Sequence, residues 1–224
     1  MEPNYVSDIL AYEPTLEDAN GDDATLEFLK QLKTSHELFF TLKNSDDWTL
    51  SKDAQEVQLY TKPSGDPIDF IKRTMEVNAS KEKVIPYFVD SEKFKEVDEN
   101  CSGYEVIDEI NDNSAFVKIE YKDSFLISGR EYATIRQIFH LGDGSFFINH
   151  CSIENESIFP SNDKVRGYCK IVGTHIEPIS DSKCKVSGYV LVDPKGSIPS
   201  TLVNMLIVLQ HDIFVNIKTK AESE

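Results

Sequence analysis

Asp193-Pro194-Lys195-Gly196-Ser197-Ile198-Pro199-Ser200 is a turn that runs directly into Thr201-Leu202-Val203-Asn204-Met205-Leu206-Ile207-Val208-Leu209, and the reading of this junction decides the fold. Ser200 has the side chain of a helix N-cap, Pro199 cannot donate a backbone hydrogen bond, and neither Gly nor Pro interrupts the chain from Thr201 to its end. One helix of about five turns is therefore expected. Its apolar residues, Leu202, Val203, Met205 to Leu209, Ile213, Phe214, Val215 and Ile217, cover more than the roughly 100° stripe of an ordinary surface helix. A helix this apolar needs a sheet on one flank and a second apolar partner on the other.

Working back from that helix, six β-prone segments precede it: Tyr104 to Glu109, Ala115 to Tyr121, Glu131 to Phe139, Ser145 to Glu154, Tyr168 to Pro178 and Cys184 to Val192. Turn sequences such as Asn111-Asp112-Asn113 and Gly142-Asp143-Gly144 join them as hairpins. Two short helices, Ser80 to Asp90 and Ser91 to Asp98, separate this block from an earlier meander at Trp48 to Leu50, Val57 to Thr61 and Phe70 to Val77. Ahead of the meander, Leu26, Leu29, Leu32, Phe39 and Phe40 recur at helical spacing, and Asp22 or Asp23 can cap that helix. Hairpin-linked strands with helices gathered at the chain ends give an α+β class, a curved antiparallel sheet wrapped around the last helix. Residues 1 to 24 carry seven acidic side chains and no Lys or Arg, and are expected to form a mobile acidic tail ahead of one domain spanning 25–224.

Composition narrows the function. The chain has 224 residues and a formal charge of −16, which speaks against nucleic acid and against general attraction to anionic membranes. Its four cysteines show no C-x-x-C spacing and no charged-then-apolar leader opens the sequence, so a cytoplasmic protein with free thiols is expected. No aliphatic run approaches the roughly 18 residues of a membrane span. H-E-x-x-H, G-x-S-x-G, G-x-G-x-x-G and P-loop patterns are all missing, so the expectation is no metal, no cofactor and no catalysis.

Several strings, taken in order, resemble the START domain, the steroidogenic-acute-regulatory-protein-related lipid-transfer module. They are Trp48-Thr49-Leu50-Ser51 with Val57-Gln58-Leu59-Tyr60, Gly129-Arg130-Glu131-Tyr132 with Arg136, Val165-Arg166-Gly167-Tyr168, Gly173 through Pro178, and Val192 through Pro199 with Asn204. One departure is visible, Val97-Asp98 where the family usually has Trp-Asp. The resemblance implies a helix-grip fold enclosing one lipid, carried by a monomer that touches membranes transiently. Phospholipid is favoured over sterol or ceramide. An enzyme on the same scaffold and a lipid-sensing interaction module are the alternatives.

Glu120 and Arg136 are the polar pair singled out for the cavity. A hairpin centred near Ser128 would bring them opposite each other, with Phe116 beside Glu120 and Tyr132 and Ile138 beside Arg136. The pair is then either an exposed bridge of about 0–1 kcal/mol or a buried anchor for a lipid head group. His150 can hydrogen-bond a ligand from an inward position, as can His175; Met205, Leu209 and Ile213 are expected to touch its apolar body. Phe125-Leu126-Ile127, at the tip of the intervening loop, either folds into the core or forms a lid that inserts in a bilayer, with Ile198 as its neighbour in the rim. Gly196 and Pro199 are the expected hinge of the last helix.

Overall fold

The computed structural model describes residues 5–123, 128–199, 203 and 211–224. Helix α1 (Tyr5–Ala11) and α2 (Asp23–Lys43) precede a meander of β1 (Thr49–Ala54), β2 (Val57–Lys62) and β3 (Phe70–Val77). Three short helices, α3 (Lys81–Val84), α4 (Pro86–Val89) and α5 (Ser91–Val97), lead to β4 (Cys101–Asn111), β5 (Ser114–Tyr121), β6 (Arg130–His140) and β7 (Phe146–Ser152). The two-residue β8 (Val165–Arg166), the long β9 (Tyr168–Ser180) and β10 (Lys183–Asp193) follow, and α6 (His211–Ser223) closes the chain. Asp22 caps α2 as expected, its carboxylate accepting from the Thr25 amide at 2.7 Å.

The strands form one sheet in the order β1-β2-β3-β10-β9-β7-β6-β5-β4, with β8 added parallel to β6. All the other pairings are antiparallel. The β3–β10 pairing joins the early meander to the later block, so both halves of the chain build one continuous surface. One face of it takes α6: Phe214, Val215, Ile217 and Ala221 pack with Met75, Val77, Val186, Ile148 and Ile176. The opposite face takes α2, through Leu29 and Leu32 on Ile135 and Cys151, and through Phe39 and Phe40 on Phe147 and Tyr189.

Each of these helices seats a phenylalanine on a bare stretch of backbone. A Cβ at Gly188 would lie 2.7 Å from the Phe214 ring, and one at Gly173 2.5 Å from the Phe39 ring. Glycine at both positions lets a whole ring come down onto the sheet.

The expectation of a free acidic tail is corrected. Residues 5–11 are helical, Ile9 is fully buried in the cluster of Phe39, Phe40 and Leu42, and Ala19 is buried against the α2 face. Asn111 donates to the Asp18 carbonyl at 2.8 Å, and Glu13 pairs with Lys33. Charge alone argued for a tail; a few apolar side chains spaced among the acids dock the segment instead.

Candidate functional site

Strand register decides which residues face α6. β5 pairs with β6 so that Glu120 opposes Glu131, Ile119 opposes Tyr132, Val117 opposes Thr134 and Ala115 opposes Arg136. Directly opposed residues share a face, so Tyr121, Ile119, Tyr132, Thr134 and Arg136 belong to one side and Glu120, Glu131 and Phe116 to the other. β7 and β9 extend the first set with His150, Ile148, Val172 and Thr174.

These side chains, Arg136 excepted, line a chamber of about 450 Å³ between the sheet, the short helices and the last helix. Phe88, Phe94 and Val97 close it on the side of the short helices, Ile213 and Asn216 come from α6, and Val203 adds to the lining. Val190, Val192 and Cys169 complete an apolar floor. Burial pushes the Cys169 thiol up to about 12, so it is an inert apolar lining group. A second hollow of about 570 Å³, lined by Ile68, Tyr168, Leu191, Gly196 and Ile198, shares Pro194 and Val203 with the first.

Polar groups gather on the inner wall. Arg136 is 7 % exposed, and its Nη1 donates to the Tyr104 hydroxyl at 3.3 Å; its Nε is buried and has no hydrogen-bond partner among the described residues. His150 stands opposite Arg136 across β6 and β7, its Nδ1 3.4 Å from the Thr134 hydroxyl. That hydroxyl gives its proton to the Val117 carbonyl at 3.0 Å, so Nδ1 carries the imidazole proton and Nε2 is left as an acceptor. Burial, and then the neighbouring Arg136 charge, depress His150 to about 3, so it is neutral at physiological pH. Asp98 is 3 % exposed; its Oδ1 accepts from the Asn100 amide, Oδ2 has no hydrogen bond of normal geometry among the described residues, and burial raises its pKa against the Arg73 charge.

Two arginines on the inner face of β6 are used differently. Arg130 donates to Pro194 O at 3.0 Å, Lys195 O at 3.3 Å, and Ser128 Oγ at 2.6 Å and its carbonyl. It ties the start of β6 to the turn before the C-terminal helix, and its donors are committed to that task. Arg136 commits one.

The expected Glu120–Arg136 pairing is corrected. Glu120 opposes Glu131, five residues along from Arg136, and an odd displacement puts the two on opposite faces. Glu120 bridges Lys164 at 3.0 Å outside the chamber. Phe116 likewise points to the α2 face, edge-on to Phe28 and Phe159. Ile138 lies on the inner face but packs into the core around Phe146 and Phe214 instead of lining the chamber. Tyr132, His150 and Ile213 do line it. Phe125, Leu126, Ile127, Met205 and Leu209 lie outside the described residues. Ile198 packs toward Leu59, Ile71 and Val203, and Gly196 takes a positive φ of 74° in the preceding turn. Asp98, Tyr104, Tyr121 and Thr134 were not singled out as site residues; with the correct register, alternation along β4 to β6 would have found the last three.

His175 lies on the α2 face, in a cluster with the residue types of a hydrolytic triad. Its Nδ1 is 3.4 Å from Glu177 and its Nε2 3.1 Å from the Ser145 hydroxyl. The order of protons is wrong for a base. The Lys43 ammonium, which can only donate, sits 2.7 Å from Nδ1, so Nε2 carries the proton, and Ser145 donates to Asp143 at 2.6 Å. Among the described residues no His, Cys, Asp and Glu cluster could hold a metal ion, and no helix is long and apolar enough to cross a membrane.

A model of the START domain matches residues 24–222. Human StAR-related lipid transfer protein 5 superposes with a TM-score of 0.81 at 18 % identity, over 88 % of this chain and 97 % of that one. Human STARD10 gives 0.75 at 20 % identity over 83 % and 77 %, and a STAR-related lipid transfer protein fragment from Xanthomonas axonopodis gives 0.67 at 19 % over 79 % and 99 %. No curated protein matches the chain significantly by sequence.

Proposed function

The chain belongs to the START domain family, and from that premise we propose that it binds a single lipid in the chamber and carries it between membranes, as a monomer and without chemical change. The observation that carries this reading is the chamber itself. It has an apolar floor, a small polar group on its inner wall, and a helix laid across it. Its driving force is burial of hydrocarbon, about 25 cal/mol for each Å² removed from water. In this reading the apolar body lies along Ile148, Val172, Val190 and Ile213, and the polar end faces Tyr104, Thr134 and His150.

Phospholipid stands ahead of sterol and ceramide. The adjoining hollow beyond Pro194 and Val203 supports this, since it offers room for hydrocarbon that one chamber does not hold. Exchange takes place at a membrane surface, at the mouth beside Ile198. Organic extraction of the purified protein followed by mass spectrometry, with a vesicle-to-vesicle transfer assay, tests the proposal. One bound lipid per chain and catalysed transfer are expected. A protein that neither retains nor takes up any lipid would overturn it.

A further inference from the structure

The hollow beside the chamber and the helix across it are held in different ways. One wall of the hollow is the β2–β3 loop with Asp66, Pro67 and Ile68, and the other is the turn after β10 with Pro194, Gly196 and Ile198. Ile68 and Ile198, each half-buried, pack on the same three residues, Leu59, Ile71 and Val203. Arg130 fixes the turn through the Pro194 and Lys195 carbonyls. The loop is braced from within: the Ser64 hydroxyl donates to the Ile68 carbonyl at 2.6 Å and accepts from the Asp66 amide at 3.0 Å, and Gly65 beside it takes a φ of 87°. α6 is anchored outward instead. His211 Nε2 donates to the Val57 carbonyl at 3.0 Å, Asn216 to the Val97 carbonyl at 3.0 Å and Lys218 to the Glu76 carbonyl at 2.7 Å, so β2, α5 and β3 all hold it. Lifting it would leave those carbonyls without donors and bare Ile217 and Ala221, both 0 % exposed.

We infer that the lipid enters and leaves through this hollow, as the β2–β3 loop swings away from the turn, while α6 stays seated on the sheet. This rests on the lipid-carrier reading and adds the route to it. Pro194 and Val203 line hollow and chamber alike, so hydrocarbon can pass from one to the other along apolar surface without crossing water. The bonds of Ser64 are internal to the loop and travel with it. Outside, Asp66 and Asp193 stand on the rim with Lys170 and Lys195, charges that cancel in a chain whose total is −16. A rim without net charge can rest on a zwitterionic bilayer surface.

Short chemical bridges test the route. Ile68→Cys with Ile198→Cys puts one thiol on each wall of the hollow, and Lys52→Cys with Asp212→Cys replaces a 3.7 Å ion pair between β1 and α6. The four native cysteines are buried, and intact-mass spectrometry checks that bis-maleimidoethane has linked the added pair. Pyrene-labelled phosphatidylcholine, dehydroergosterol and NBD-ceramide are offered for transfer between dioleoylphosphatidylcholine vesicles, and the probe that the native chain moves fastest is carried forward. Each double variant is compared with itself before and after bridging. The bridge across the hollow is expected to slow transfer about tenfold or more and to hold preloaded probe in the protein, and the α6 bridge to slow it less than about twofold. A bridged hollow that slows transfer less than about twofold, or an α6 bridge that stops it, overturns the inference and leaves the carrier reading standing. Transfer of none of the three probes by the native chain overturns both. Should a double variant not fold, amide exchange in the native chain decides. On addition of vesicles, protection is expected to drop at residues 64–70 and to hold over 211–223. A drop in α6 with none at 64–70 overturns the inference.

Discussion

His36 lies on the buried face of α2, edge-on to Phe139 and Phe147, with neither ring nitrogen hydrogen-bonded among the described residues. Burial depresses it to about 3, the same level as His150 in the chamber wall. Both therefore fold as neutral imidazoles, while the unfolded chain binds their protons near 6.5. The sign follows directly: between about pH 6.5 and 3 the unfolded state holds more protons, so stability is full above that window and falls as the pH drops through it. By pH 4.5 each histidine should cost about 3 kcal/mol, and urea titrations at pH 7 and 4.5 measure the difference. His36→Phe should remove about half of that loss. A second contrast lies on the α2 face, where Glu120 and Glu131 oppose each other. Glu131 is 2 % exposed and holds Arg166 at 2.7 Å, whereas the Glu120–Lys164 bridge is partly solvated. Glu131→Gln should cost about 3–5 kcal/mol and Glu120→Gln less than about 1, with lipid uptake unchanged in the latter. Denaturation midpoints of the two variants, with an uptake assay on Glu120→Gln, check both halves.

At the scale of elements, the grip of the sheet on the last helix depends on the ring of Phe214 lying over Gly188. Gly188→Ala puts a methyl where the ring now sits. It should destabilise the protein by about 1–3 kcal/mol, the ordinary cost of overpacking, and speed amide exchange in α6 more than in α2. Gly173→Ala, under Phe39, should reverse that order. Removal of residues 1–22 should lower the melting temperature, because Ile9 and Ala19 then leave the α2 face uncovered. A melting curve identical to that of the full chain would show the docking to be incidental. Order and type of element were readable in the chain because each helix and strand carries its own period and punctuation: Asp22 before α2, Gly65 and Gly144 in turns, Pro199 ahead of the last helix. Register was not readable. The loop between β5 and β6 gives no turn sequence that sets its length, and a five-residue error set Glu120 opposite Arg136 instead of Glu131, which put Glu120 and Phe116 on the wrong face. Tyr132 falls on the chamber side because alternation along one strand survives a wrong partner; the place of Asp98 depends on how α5 meets β4, which no strand period reveals.

For the whole molecule, the charge of −16 is spread over a surface most of whose lysines are paired with carboxylates, while Arg130 and Arg136, which have no acidic partner among the described residues, are buried. The far field is therefore acidic. It acts on the approach and not on a lipid already held, so the two stages separate. An anionic membrane repels the approaching protein over distances of about a Debye length, roughly 8 Å at physiological salt, whereas a lipid already in the chamber is enclosed by the sheet and the helices. Transfer of one labelled lipid from vesicles containing about a third anionic lipid should accordingly be slower than from purely zwitterionic vesicles at low salt. The gap should close as the ionic strength rises toward about 0.5 M, and the lipid retained by the protein should stay the same throughout. Stopped-flow transfer from the two vesicle types, with extraction of the loaded protein at each salt concentration, separates these stages. A gap that persists at high salt would place the barrier in the opening of the chamber, and a change in the retained lipid would mean that surface charge, and not the inner wall, selects the cargo.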